Sequence, residues 1–277
     1  MNTPKEQPHL QKEFDTHRIC VLIPTYNNAG TLERVLNEVL EYTSNILVIN
    51  DGSTDHTNDI LATFPIIKKY QYHKNKGKGF ALRKGFKLAQ EAGFKYAISM
   101  DSDGQHFADD LPVFLEPVKT KKAEDPEPLI IGSRKMDHPS VPHKSSLGNK
   151  LSTFMFLVET GISLTDTQCG YRLYPLDLVN SLPLFSTKFE LEIEVIVKAA
   201  WEGAAVQNLP VKVLYDPQER VTHFRPLQDV ARITLLNIIF VLVLIFYILP
   251  RAAWRKLQIK KKPKYSGQGP VTQEPSQ

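Results

Sequence analysis

From Arg18 onward, short apolar runs alternate with stretches of helical spacing. ICVLIP (19–24) is an unbroken apolar run that stops at Pro24, the pattern of a buried strand. Residues 31–42 then place Leu32, Val35, Leu36, Val39 and Leu40 on one side of a predicted helix. NILVIND (45–51), IIKKYQYH (66–73), KYAISMD (95–101) and PLIIGS (128–133) predict further strands, and 77–92 a helix with a glycine-rich start. After the turn GSTD, Asp55 stands where its side chain can cap the next helix. Such alternation predicts an α/β fold with a mainly parallel sheet flanked by helices. Beyond residue 134 the pattern is less regular, with helices expected near 145–160, 175–181 and 189–202 and strands near 205–215. Residues 1–17 are polar and predict a disordered tail.

In open α/β sheets, ligands bind beyond the carboxyl ends of the strands. The polar clusters TYNN, NDGSTD, DSDGQH and GSRK fall at those ends. In DSDGQH (101–106), Asp101 and Asp103 are one residue apart and can share a hard cation, Mg²⁺ or Mn²⁺, which keeps positions open for phosphate oxygens. Gln105 or His106 can add a ligand. A solvated turn is also rich in aspartate, but the place directly after an apolar strand favours the metal. In NDGSTD, Asp51 can accept bonds from a base or ribose, or simply form an Asp-Gly turn, and PTYNN (24–28) can wall the same pocket. HKNKGKGFAL (73–82) offers two glycines for close backbone approach, a helix start that attracts anions, and the charges of Lys74, Lys76 and Lys78. It lacks the Lys-Ser/Thr ending of a P-loop and the third glycine of a dinucleotide fingerprint.

Composition narrows the partners. The 277 residues carry a net charge of +4, which suits anionic small molecules or a membrane surface as readily as nucleic acid. The two cysteines, Cys20 and Cys169, form no C-x-x-C pair, so neither a disulfide framework nor a thiolate metal site is expected. The opening MNTPKEQPHLQKEFDTHR has no apolar stretch, and no secretory leader is expected.

The order PTYNN, NDGSTD, NKGKGFAL, DSDGQH, GSRK, DTQCGYR resembles the inverting family 2 glycosyltransferases of GT-A fold, and more closely the dolichyl- or polyprenyl-phosphate sugar synthases. The likeness covers roughly residues 18–225. It implies a donor site at Pro24, Tyr26, Asn27, Asp51, Lys76, Gly77, Asp101 and Ser102, and Mg²⁺ or Mn²⁺ on Asp101, Asp103 and Gln105. It also implies a phosphate-facing Arg134 and a catalytic-site Asp166 in TDTQCGYR. A hydroxyl acceptor needs a general base, for which an aspartate serves; an acceptor phosphate is already anionic and needs none. The role of Asp166 therefore stays open between the two acceptors. Arg172 can pair with Asp166 or with phosphate. Arg220, His223 and Arg225, in RVTHFRP, stand where the synthases carry a basic segment, though without its glycine. Glu190 and Glu192 begin a helix and either favour its dipole or enter the site. The implied partners are a nucleotide-sugar donor and a membrane lipid acceptor, and with that resemblance no nucleic-acid partner is expected. A nucleotidyltransferase would need a G-x-G-x-R-type loop, which is missing, and the intact Asp101–Asp103 pair speaks against a non-catalytic scaffold.

One segment reads either as a buried core helix or, since it shows barely any polar face, as a membrane-associated one. Residues 233–249 are a 17-residue uncharged run with only Thr234 and Asn237 markedly polar. The tail that follows carries seven positive charges and no acid through Lys264. The expected domains are a catalytic unit over 18–226, a membrane-associated helix over 227–250 and a basic polar tail over 251–277. The positive-inside rule keeps that tail cytosolic. The donor requires a catalytic unit on the cytoplasmic side of the cell membrane, so a re-entrant or interfacial helix is expected rather than one ordinary span. The spacing of Leu151, Phe154, Met155 and Val158 predicts a packed helix face, or else a lipid groove.

Overall fold

The computed structural model describes residues 8–134, 143–214 and 225–251. Contacts divide the chain into two compact units, 1–237 and 238–277. In the first, β1 (Ile19–Thr25) is buried along its whole length and lies between β2 (Ile46–Asn50) and β4 (Tyr96–Ser99), parallel to both. The seven-stranded sheet runs β3-β2-β1-β4-β6-β5-β7, where β3 is Lys68–Gln71, β5 Pro128–Ser133, β6 Arg172–Pro175 and β7 Ala205–Pro210. β6 is antiparallel to both its neighbours, β4 and β5. Its four residues follow a polar loop and give no periodic signal of their own, so the sequence does not announce it. With β6 in place the sheet is mixed, and the TDTQCGYR segment is drawn beside the end of β4.

The sheet is covered by α1 (Pro8–Thr16), α2 (Ala29–Leu40), α3 (Thr57–Ala62), α4 (Lys78–Glu91), α5 (Leu111–Lys119), α6 (His143–Thr160), α7 (Leu176–Ser181) and α8 (Leu191–Trp201). The expected disordered tail is in part a helix. α1 buries Leu10 and Phe14, an i,i+4 pair, against β1 and α5, which fixes an otherwise polar segment. Asp55 does cap: Oδ1 accepts the Thr57 N–H at 3.0 Å, and Oδ2 accepts Ala29 N–H at 3.0 Å, serving the starts of α3 and α2 together.

The packed-face reading of α6 does not hold. Its buried face is Asn149, Phe156 and Glu159, while Leu147 (71%), Leu151 (62%), Phe154 (58%) and Val158 (41%) are exposed. At about 100° per residue those four fall within roughly 60° of one another. They form an apolar stripe on the side away from the core.

Glu159 is 1% exposed, and neither carboxyl oxygen has a hydrogen-bond partner among the described residues. Burial alone pushes its carboxyl from the ordinary 4.5 up to about 8. The folded state keeps a proton that the unfolded chain releases near 4.5. Stability therefore falls as pH rises between about 4.5 and 8, by roughly 5 kcal/mol at most for this group. Glu159→Gln should remove that slope in denaturant titrations at pH 5 and pH 8; an unchanged slope would show that the carboxyl ionises freely.

α9 (Pro226–Val243) begins in the first unit, and the chain stays helical through a π-type stretch, Leu244–Ile248, to Arg251. The apolar helix Leu227–Arg251 has 25 residues, about 37 Å at 1.5 Å each, more than a hydrocarbon core of about 30 Å. It is longer than the uncharged run suggests, so length does not prevent a full crossing. Leu235, Ile238, Leu242, Phe246 and Leu249 are all exposed, which excludes a buried core helix. Most of the basic tail, 252–277, lies outside the described residues.

Candidate active site

Beyond the ends of β1, β2 and β4 lies a cleft of about 480 Å³, lined among others by Pro24, Tyr26, Asp51, Gly77, Asp101, Ser102, Asp103 and Arg225. Four motifs far apart in sequence thus meet in one place.

The loop after β4 is fixed through Ser102, which is 1% exposed. Its hydroxyl reaches Pro24 O at 3.2 Å and Thr25 Oγ1 at 3.1 Å and accepts Asn28 Nδ2 at 2.7 Å, while its carbonyl accepts Thr31 Oγ1 at 2.6 Å. Ser102 therefore positions the two acids from below. Asp103 Oδ1 accepts the Gln105 N–H at 3.0 Å. Gln105 and His106 are clamped from the far side, where Leu214 N–H donates to Gln105 O at 2.9 Å and His106 bridges to Val213.

Asp51 lines the cleft, but its carboxylate is also structural. Oδ1 accepts Lys76 N–H at 2.9 Å and Oδ2 accepts Gly77 N–H at 2.6 Å. Burial raises its pKa above the ordinary aspartate value despite those bonds. Gly77 sits at φ 109°, and a Cβ there would come within 2.3 Å of the Lys188 side chain and 2.6 Å of Thr187 O. Gly79 is equally crowded, with Lys188 O at 2.5 Å. Both glycines are crowded by the 187–191 segment, and Gly77 also lines the cleft. Lys76 contributes its backbone; its ammonium lies 4.5 Å and 4.8 Å from the centres of the Tyr72 and Phe80 rings, and it does not line the cleft. Asn27, at φ 50°, likewise braces loops, accepting Thr54 N–H at 2.8 Å and donating its own N–H to Ser53 Oγ at 2.9 Å.

Lys78 is the residue whose weight the sequence hides. Its ammonium lies 2.7 Å from Asp101 Oδ1 and 3.2 Å from Glu192 Oε2. Burial works against both charges of the Lys78–Asp101 pair, but their attraction outweighs it: the lysine is held above its usual value and the aspartate below. His106 Nε2 lies 4.0 Å from Asp101 Oδ2, and burial lowers its pKa to about 4, so the ring is neutral at physiological pH.

Asp166 and Arg134 are brought together, outside the cleft lining. Arg134 Nε donates to Asp166 Oδ2 at 2.7 Å and Nη2 to Oδ1 at 3.1 Å. Asp166 is 0% exposed and also accepts Gln168 N–H at 2.9 Å and Cys169 N–H at 3.2 Å. A carboxylate so occupied holds an arginine in place. Arg172 is not a phosphate contact. It is 0% exposed, and Nε, Nη1 and Nη2 donate to Cys169 O (2.6 Å), Glu192 O (2.6 Å) and Thr167 O (2.9 Å). Glu190 caps its own turn through Lys188 N–H at 3.2 Å. Arg220 and His223 lie outside the described residues.

Sequence reasoning missed Lys188, Gln228, Asp229 and Arg232, which also line the cleft. The last three belong to the first turns of α9, within the first unit, where polar or charged residues at i, i+1 and i+4 precede the apolar run. Polar residues just ahead of an apolar helix were the available signal.

A family model described as glycosyl transferase family 2 matches residues 20–182, more than half of the chain. A UDP-N-acetylglucosamine–dolichyl-phosphate N-acetylglucosaminyltransferase of Methanococcus voltae is 26% identical over 219 residues, 71% of this chain and 86% of that protein. An undecaprenyl-phosphate mannosyltransferase of Micrococcus luteus is 27% identical over 206 residues, covering 70% and 82%. Among solved structures, glucosyl-3-phosphoglycerate synthase from Mycobacterium tuberculosis, in complex with Mn²⁺, UDP and phosphoglyceric acid, aligns with a TM-score of 0.62 at 19% identity over 87% of this chain and 83% of that one. That likeness bears out the expected GT-A-like fold.

Proposed function

Because the chain belongs to glycosyl transferase family 2, we propose that it moves a sugar from a nucleotide-sugar donor to a polyprenyl-phosphate lipid, with inversion, at the cytoplasmic face of the cell membrane. The observation that carries this reading is the shared wall of the cleft. Asp51, Asp101 and Asp103 face it from the sheet, and Arg225, Gln228, Asp229 and Arg232 face it from the chain entering the apolar helix. A water-soluble donor and a membrane-bound acceptor can both reach such a cleft. Relatives named for dolichyl- or undecaprenyl-phosphate acceptors support the same class.

Asp101 and Asp103 would hold Mg²⁺ or Mn²⁺, with Gln105 adjoining. Two carboxylates would leave coordination positions open for diphosphate oxygens. Both acids line the open cleft, and Asp101 lies so close to Gly170 that a Cβ there would stand 2.5 Å from its Oδ2. Such a cation supplies Lewis-acid stabilisation of the departing nucleoside diphosphate. Tyr26 and Asp51 flank the donor, and Arg225 and Arg232 offer charge to phosphate oxygens.

An acceptor phosphate oxygen attacks without deprotonation, and the residues agree with this. Asp166 is engaged by Arg134 and by backbone N–H groups, which leaves it a poor general base. Asp166→Asn should lower turnover by roughly ten- to a hundredfold through a misplaced Arg134, while the pH profile keeps its shape. Loss of its acidic limb would restore the alternative, transfer to a hydroxyl of a glycolipid or glycan with Asp166 as base.

The exposed stripe of α6 suits contact with the membrane surface, and the basic tail suits anionic headgroups. The reading is tested by incubating membranes containing the full chain with a panel of radiolabelled nucleotide sugars. One label should enter the lipid extract as an acid-labile phosphodiester; label confined to glycan or protein would overturn the lipid-phosphate acceptor.

A further inference from the structure

Lys78 and a cation on Asp101 compete for the same carboxylate. The ammonium lies 2.7 Å from Asp101 Oδ1, and a divalent ion bound to either oxygen would repel an ammonium at that distance. The same ammonium is 3.2 Å and 3.3 Å from the two oxygens of Glu192. Asp101 and Glu192 thus share the one ammonium of Lys78. We propose that Lys78 is a resident counter-ion of the empty site, which the divalent cation displaces from Asp101 and which Glu192 then retains. The inference rests on the metal reading of Asp101.

The chemistry of the three residues fits this exchange. Side-chain exposure is 17% for Lys78, 27% for Asp101 and 9% for Glu192, so each charge needs a partner at all times. A lysine can serve two carboxylates in turn, because its ammonium is a point charge with three rotatable donors on a flexible stem. Both carboxylates are already within reach, so the move requires side-chain torsions alone. Glu192 does not follow, because its backbone carbonyl accepts Arg172 Nη1 at 2.6 Å and fixes the first turn of α8 to β6. One ammonium thus prevents two nearly buried acids from standing unpaired before the metal arrives, at the expense of metal affinity.

The test is Mn²⁺ binding to the full chain in detergent, without nucleotide, read as loss of the free-ion signal by electron paramagnetic resonance. Lys78→Met should tighten Mn²⁺ binding by on the order of tenfold, and Glu192→Gln should weaken it by a similar factor. A gain of affinity is not what structural damage produces. If Lys78→Met does not fold, Lys78→Gln tests the same point with a polar side chain. Glu192 could also act directly through its field. Retention of Lys78 therefore requires that Glu192→Gln cost far less in the Lys78→Met background than in the wild type; equal cost in both overturns it. If the wild type binds Mn²⁺, Asp101→Asn does not, and Lys78→Met is no tighter, this inference alone falls. If the wild type binds no Mn²⁺, or Asp101→Asn binds as well as wild type, the metal assignment falls and takes this inference with it.

Discussion

Asp103→Ala is expected to lower sugar transfer by roughly a thousandfold or more while the protein remains folded. A divalent cation that neutralises a departing diphosphate contributes several kcal/mol to the transition state, and each 1.4 kcal/mol or so is about tenfold in rate. Asp103 stands on a partly exposed loop, where each hydrogen bond such as that from the Gln105 N–H at 3.0 Å contributes about 1 kcal/mol, little beside the loss of the metal. Activity and stability should therefore separate. Initial rates with saturating donor and Mn²⁺, set beside the unfolding midpoint, measure both. Normal turnover in this variant would remove the metal from the mechanism. Ser102→Ala is the informative companion, since Ser102 touches the backbone and side chains that hold the loop; its effect should be smaller.

Arg172→Met should do the opposite, removing stability first. The guanidinium satisfies three buried carbonyls, of Cys169, Glu192 and Thr167. Leaving acceptors unpaired in a dry interior costs about 1–3 kcal/mol each, and breaking a buried charged network costs about 3–5 kcal/mol in total. Much of the chain's marginal stability would go. Arg172→Lys should rescue only in part, because a single ammonium cannot span three carbonyls in a planar fork. Chemical unfolding of the purified full chain checks this. A variant with a wild-type midpoint and only a raised KM would return Arg172 to the role of a phosphate contact.

These two residues show where sequence reading succeeds and where it stops. The place of Asp101 and Asp103 in the cleft was legible, because two acids one residue apart at the end of an apolar run stand where such a fold binds ligands. The predicted strands 19–24, 45–51, 66–73, 95–101 and 128–133 each overlap an observed strand; in all but β3, whose KKYQ is largely exposed, burial on both faces leaves an unbroken apolar signature. Arg172, Asp166 and Lys78 were not legible in this way. Each is a charged residue in a polar motif, and its role depends on which oxygens the tertiary structure brings within 3 Å. Three backbone carbonyls consume Arg172, and a bidentate arginine consumes Asp166.

The sequence by itself determined the alternation of strand and helix, the acids at the strand ends and the presence of one apolar segment long enough to matter in a membrane. Those features are local, written in period and composition. Tertiary structure alone decided that β6 runs antiparallel beside β4, that the first turns of α9 line the cleft, and that the α6 stripe faces outward. It also made Lys78 the partner of both Asp101 and Glu192. These facts depend on pairings between residues up to more than a hundred positions apart. Burial and charge neutralisation choose such partners only once the chain has closed upon itself.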